Sequence, residues 1–336
     1  MFKKKLYMFL CVFCFFCFLN LCPYAIVFVH LGPDLPSHIS DAAFQARLFN
    51  LTEDIYLLAN QEALNKNDKQ ELLKKMRNDM RIKIVSIETL KRSKEHEIFG
   101  KKSTHDVKFR KGFWKFAVER FFVLDDFMQQ YKVNDVVHLE SDTLLYRNLE
   151  ELMPIFRLYY KGIAAVFIND VYCIPCFVYF RDKKAIKNLV KYIAERASEG
   201  KNDMIVLSGF KEKNPVELID SLPIISRAYI KLHGLKSTKG HVTHDQEKYY
   251  KNIDVFGSIF DGCAIGQYLG GTDPRNGHSE PGFVNEKCLF NPSLLTYQWE
   301  KDEHGRNVPF MFFNGERYRI NNLHIHSKDL KKFLSV

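Results

Sequence analysis

The chain has 336 residues, 46% hydrophobic and 26% charged, with a net charge of +9. That length suits one large α/β domain or two smaller ones, and the composition is that of an ordinary globular protein. Lys and Arg are scattered among acids, with no zinc-finger spacing, helix-turn-helix or aromatic-basic RNA signature; this argues against nucleic acid and leaves sugar diphosphates or anionic lipid as matches for the positive balance.

In chain order, Lys3-Lys4-Lys5 precede an apolar run from Leu6 to about Cys22. These are the n- and h-regions of a signal peptide or a short signal anchor, and the lack of small residues at a cleavage position favours the anchor. The positive-inside rule then keeps the lysines cytoplasmic and puts the rest of the chain on the lumenal or outer face, membrane-associated. Asn50-Leu51-Thr52 is a sequon that such a location would expose to glycosylation. Four of the eight cysteines fall in the apolar run. Cys173, Cys176, Cys263 and Cys288 form no disulfide framework and read as packing thiols.

Ala25 to His30 reads as a fully buried strand closed by Leu31-Gly32-Pro33. A helix from Ser40, its expected cap, to Leu48 leads to a second strand, Ile55 to Leu58, ending at Ala59-Asn60. A helix over 69–80 and a third strand over 82–87 follow. This alternation predicts a doubly wound, mostly parallel sheet, which collects ligands at the carboxyl ends of its strands. Residues 90–112 read as a charged surface loop. A long apolar-faced helix from Phe113 to Tyr131 carries Trp114 and Arg120 and runs into the apolar stretch Val136 to Leu139.

That stretch stops abruptly at Glu140-Ser141-Asp142. Two carboxylates one residue apart can face one ligand if the chain stays extended through Ser141, and hard oxygen donors suit Mg²⁺ or Mn²⁺ carrying a phosphorylated substrate better than zinc. Strands at 163–168 and 177–180, a helix over 183–197 and a helix opened by Asn202-Asp203-Met204 come next. The stretch 226–250 is basic and poorly periodic, and its His233, His241 and His244 read as solvated. Asp261 is expected to cap a short glycine-containing helix. The remainder turns to β: 283–290, 294–299, 308–313 and 318–326, with hairpin turns at His304-Gly305 and Asn314-Gly315. In the last of these His324, His326 and Lys328 share one face of an extended chain. A His can complete a cation site already holding carboxylates, and the Lys can reach a phosphate.

A possible anchor, a doubly wound sheet, an acid-x-acid triplet ending a middle strand and a C-terminal His near Lys together resemble a glycosyltransferase of the GT-A fold. Similar features occur in capsule- and lipopolysaccharide-type sugar transferases and in glycosyltransferase family 8. The resemblance covers most of residues 24–336, and it implies a nucleotide-binding half (24–150) and a donor-sugar and acceptor half (151–336) with a β-rich C-terminal portion completing the metal site. It places His30, Leu31, Gly32 and Asn60 at the nucleotide, with Arg120, Glu140 and Lys328 also on the donor side. Asp142 would bind Mn²⁺ or Mg²⁺ directly, Glu140 the ribose or the metal, and His326 would complete the set with His324 as the alternative. Asp203, in a segment similar to the Asn-Asp-Gln of family 8 but with Met204 replacing the amide, would hold sugar hydroxyls or act as base. Asp261 is the first candidate for the base an inverting enzyme needs. The implied reaction moves a sugar from a nucleoside-diphosphate sugar to a hydroxyl of a glycan, lipid or protein acceptor, retaining or inverting. One alternative is a nucleotidyltransferase, although Leu31-Gly32-Pro33-Asp34-Leu35-Pro36 lacks the glycine-rich basic loop that class uses. The other is a catalytically inactive, membrane-tethered sugar-binding protein.

Overall fold

The computed structural model describes residues 23–214, 218–243, 245–277 and 280–336. The expected signal or anchor segment (1–22) and His244 lie outside the described residues. Among those described, no helix is long and apolar enough to cross a membrane.

A seven-stranded sheet forms the centre, in the order β3-β2-β1-β4-β7-β6-β8. Its strands are β1 (Ala25–His30), β2 (Asp54–Ala59), β3 (Lys83–Ser86), β4 (Val136–Leu139), β6 (Ile163–Phe167), β7 (Cys173–Phe180) and β8 (Ile219–Ser221). Strands β1 to β4 pair in parallel; β7 runs antiparallel to both β4 and β6, and β8 lies parallel to β6. The strands are near-continuous apolar runs because both faces are covered, and β1, β4 and β7 are buried almost throughout. Winding proceeds outward from β1 through β2 to β3, then returns to β4 on the other side of β1. With right-handed crossovers this reversal puts the two sets of helices on opposite faces and opens a crevice at the carboxyl ends of β1 and β4. Helices α1 (Ile39–Phe49) and α2 (Gln70–Asn78) pack together as one set. The other set is α3 (Lys94–Lys102), α4 (Phe113–Tyr131), α6 (Lys183–Glu195) and α7 (Asp203–Lys213), while α5 (Met153–Tyr159) leads into β6.

The C-terminal third is β-rich, as expected. A four-stranded sheet orders β10 (Thr296–Lys301), β11 (Asn307–Phe313), β12 (Glu316–Ile320) and β9 (Ser258–Ile259). The turn at Asn314-Gly315 has both residues at positive φ, 47° and 80°, the twist a tight two-residue hairpin requires. A third element pairs β5 (Thr143–Leu145) antiparallel with β13 (Asn322–His324), setting His324 opposite Thr143.

Several expectations needed correction. The loop expected at 90–112 contains α3, whose start is capped by Ser93 accepting from the His96 amide. Ser40 does not cap α1; its hydroxyl donates to the Ser37 carbonyl from inside the first turn (3.0 Å). The basic stretch after Ser226 opens with the helix α8 (Arg227–His233). Residues 283–290 form no strand but an irregular segment tied down by Asn285. The strand expected over 318–326 breaks at Asn321 and ends at His324. Asn50 is no glycosylation site in the folded chain: it is fully buried, accepts from the Tyr24 hydroxyl (3.2 Å) and the Leu149 amide (2.9 Å), and donates to the Ala46 carbonyl.

Candidate active site

The chain leaves β4 at Leu139 and turns, the Thr143 amide closing on the Glu140 carbonyl (3.0 Å), before entering β5. Because β5 pairs with β13, the turn that carries Asp142 is held beside the chain following His324, and the Ile325 amide donates to the Asp142 carbonyl (2.9 Å). This local pairing joins two motifs about half the chain apart. Nε2 of His324 lies 3.2 Å from Oδ2 of Asp142 and 3.3 Å from Oε2 of Glu140. Its Nδ1 is 2.6 Å from the Gly262 carbonyl, which fixes Nδ1 as the donor and aims Nε2 at the acids.

Glu140, Asp142 and His324 are the residues among those described that form a metal-competent cluster, with ligand atoms within 4.8 Å of one another. Two carboxylates and an imidazole are a donor set that fits Mn²⁺ or Mg²⁺. Lys328 forms an ion pair with Oδ2 of Asp142, which is 5% exposed. Arg120, 7% exposed, reaches from α4 to bind Glu140 with one terminal nitrogen and Asp203 with the other.

Burial raises the pKa of both acids of the cluster, and their cationic partners override it. Arg120 brings Glu140 below the ordinary range, and Lys328 and His324 bring Asp142 well below it. Burial would lower His324, but the adjacent Asp142 carboxylate holds it well above the usual histidine value. Asp203 is raised, chiefly by burial.

The site opens into a cleft of about 1100 Å³ at the carboxyl edge of the sheet. His30, Leu31 and Gly32 line it at the end of β1; the His30 Nε2 has no hydrogen-bond partner in the structure. The Gly32 amide donates to Asn60 (2.8 Å), whose own amide nitrogen is bound to Glu88 (3.0 Å). Asn60 thus shapes the wall from behind Gly32. Gly32 takes φ +120°, a backbone conformation open to glycine.

Two expectations about the site change. His326 is not grouped with the acids: its Nδ1 is bound to Gln267 (2.8 Å), and its ring stands edge-on to His324 at 4.3 Å. The chain abandons the extended geometry after His324, so the residues expected on one face separate, while Lys328, at φ 66°, folds back to Asp142. Asp261 does not face the cleft. It is 2% exposed, and its carboxylate accepts from the amides of Ile265 (3.0 Å), Gly266 (2.9 Å) and His324 (3.1 Å). It binds the first-turn amides of the helix α9 (Ala264–Gly270), whose N-cap is Cys263, and ties β13 to it, so its carboxylate is spent on backbone inside the fold. Gly266 completes that contact, since a Cβ there would overlap the His324 carbonyl.

Sequence reasoning missed several lining groups. His38, pushed down to about 4 by burial, lies 3.4 Å from the Ser141 hydroxyl. Arg110 bonds Asn276 across the cleft mouth (2.8 Å), and Lys111 and Arg275 stand at the rim, paired with Asp34 (3.1 Å) and Asp273 (2.5 Å). None of these carried a motif; only the fold assembles them.

No protein-family model matches the sequence, and no curated protein matches it. Solved structures do. Mouse xyloside xylosyltransferase 1 in its apo form shares 12% identity over 63% of this chain and 90% of its own, at a TM-score of 0.41. The galactosyltransferase LgtC in complex with donor and acceptor sugar analogues shares 12% over 59% and 73%, at 0.39. A cytidylyltransferase from Leptospira borgpetersenii serovar Hardjo-bovis shares 10% over 55% and 78%, at 0.32. At these distances function has to be read from the residues of the cleft.

Proposed function

We propose that this chain is a metal-dependent glycosyltransferase that moves a sugar from a nucleoside-diphosphate sugar to a hydroxyl of a glycan, lipid or protein acceptor. The observation that carries the reading is the convergence of Glu140, Asp142, His324 and Lys328 at the crevice where the sheet reverses its winding.

Asp142 and His324, with Glu140, would hold the divalent cation. Bound there, Mn²⁺ or Mg²⁺ supplies Lewis-acid stabilisation to a diphosphate leaving group. Lys328, paired with Asp142, has the reach and charge to turn to a phosphate oxygen. Residues 24–150 supply the nucleoside side of the cleft through His30, Leu31 and Gly32, backed by Asn60; residues 151–336 supply the sugar and acceptor side. Arg120 binds both Glu140 and Asp203 and fixes them in position. With Asp261 turned into the protein, Asp203 and Asp273 are the cleft-lining carboxylates of residues 151–336; Asp273 is held by Arg275, and Asp203 is the one we assign to hold sugar hydroxyls or receive the acceptor proton.

Titration of the protein with nucleotide sugars by calorimetry, with and without Mn²⁺, tests this reading. Binding that needs the cation and disappears in Asp142→Asn is expected; undiminished binding in EDTA would sink the metal role. Release of pyrophosphate from a nucleoside triphosphate would instead identify a nucleotidyltransferase.

A further inference from the structure

The strand registers define two edges of the central sheet. At the edge away from the cleft, Ala25 sits beside Asp54 and Val136, Val136 beside Phe180, and Ile163 beside Phe180 and Ile219. Backbone bonds from Ala25 to Asp135 (3.2 Å), Asp135 to Arg181 (2.8 Å) and Arg181 to Gly162 (3.0 Å) tie the intervening loops into one continuous surface. Residue 23, where the apolar stretch 6–22 joins the fold, lies on this edge, with Tyr24 already packed into the core.

Large apolar side chains remain exposed there: Leu51 at 60%, Leu158 at 72%, Tyr131 at 41% and Tyr159 at 43%. Exposed cations stand among them in the same loops and helix ends: Arg81, Lys132, Lys161, Lys184 and Lys213. Some acids of the edge are engaged: Asp54 pairs with Lys83 (2.7 Å), Asp135 with Arg157 (3.0 Å), Glu151 with Arg147 (2.8 Å), and Asp182 caps α6, while Glu53, Asp79, Glu150 and Glu212 stand in the same loops and helix ends. Leucine and tyrosine interleaved with lysine is the composition that partitions into a headgroup region, each surface lysine adding attraction to anionic lipid.

We propose that this edge of the sheet rests on an anionic lipid bilayer, with the cleft directed away from it. The inference rests on reading residues 6–22 as a membrane segment and is independent of the chemistry of the cleft. Only Pro23 and Tyr24 separate that segment from β1, so a bilayer holding it meets this edge first. A strand of six residues spans about 20 Å, so the site stands at least that far above the lipid and an acceptor reaches it from the water side.

The test is lysine acetylation, read by mass spectrometry, of the full chain in nanodiscs of phosphatidylcholine with and without phosphatidylserine. Labelling of Lys132, Lys161 and Lys184 is expected to fall about fivefold in the anionic discs, while Lys111 and Lys287 at the cleft rim stay unchanged. In the variant Lys132→Glu/Lys161→Glu/Lys184→Glu, Lys213 on the same edge is expected to lose its protection while the chain stays in the disc. Equal labelling of both edges, or protection of the rim instead, would overturn the proposal. So would failure of the chain to enter discs at all, a result that leaves calorimetric nucleotide-sugar binding untouched and so separates this inference from the proposed activity.

Discussion

Two buried histidines in this protein each stand between two carboxylates, and only one looks like a reaction site. His96 lies within 2.6 Å of Asp126 and 3.2 Å of Glu119, sealed between α3 and α4. His324 lies 3.2 Å from Asp142 and 3.3 Å from Glu140. The difference is direction. His96 spends one ring nitrogen on each acid, a clamp between two helices whose charges are consumed where they meet. His324 gives one nitrogen to a backbone carbonyl and aims the other at both acids, and those acids are held open to the cleft by Lys328 and Arg120 from outside. Convergence of donor atoms on one accessible point separates a site from an ion pair; residue type does not.

Mutations can break or sharpen that contrast. The largest effect is expected from Asp142→Asn or His324→Ala, which should lower kcat/KM for sugar transfer about a hundredfold or more and leave the thermal midpoint near that of the parent. Steady-state kinetics across a Mn²⁺ titration, with scanning calorimetry, read both. Arg120→Met is expected next: it strands Glu140 and Asp203 without their shared cation and should cost about 3–5 kcal/mol in denaturant unfolding. His96→Gln should do the reverse of the first pair, sparing kcat/KM and losing about 1–3 kcal/mol of stability.

That loss has a pH signature. Burial lowers the His96 pKa but the Asp126 and Glu119 carboxylates raise it further, so the folded value lies above the unfolded one. The extra stability is therefore fully present below about pH 6.5 and disappears as the pH climbs through the folded value. Melting curves of parent and variant should converge at alkaline pH; a gap that widens would contradict the imidazolium clamp. The smallest effect is expected from His326→Ala, under about tenfold in apparent Mn²⁺ affinity, measured by the metal dependence of the rate. A loss equal to that of His324→Ala would return His326 to the ligand set.

The parallel half of the fold was legible because each strand is a short apolar run punctuated by a turn signal, and Glu140 and Asp142 stood out as charges where such a run stops. What stayed hidden was whatever depends on a partner. Helix α3 buries only His96 and Phe99, the latter stacked on Phe122 at 4.7 Å, so its hydrophobic period is faint. Alternation through His324, His326 and Lys328 read as one strand because nothing local says that pairing with β5 ends at Thr143. Asp261 looked like a base because an acid beside glycines is what both a cap and a catalyst require; only the three amides around it decide.

Gly266 bears on how this site tolerates change. It has no functional group and touches no ligand, yet a single added carbon there would drive β13 off its neighbour and carry His324 out of reach of the acids. A screen for inactive variants should therefore return this position as often as Glu140, Asp142 and His324 themselves, and a reader of such data who looked only for reactive side chains would discard it.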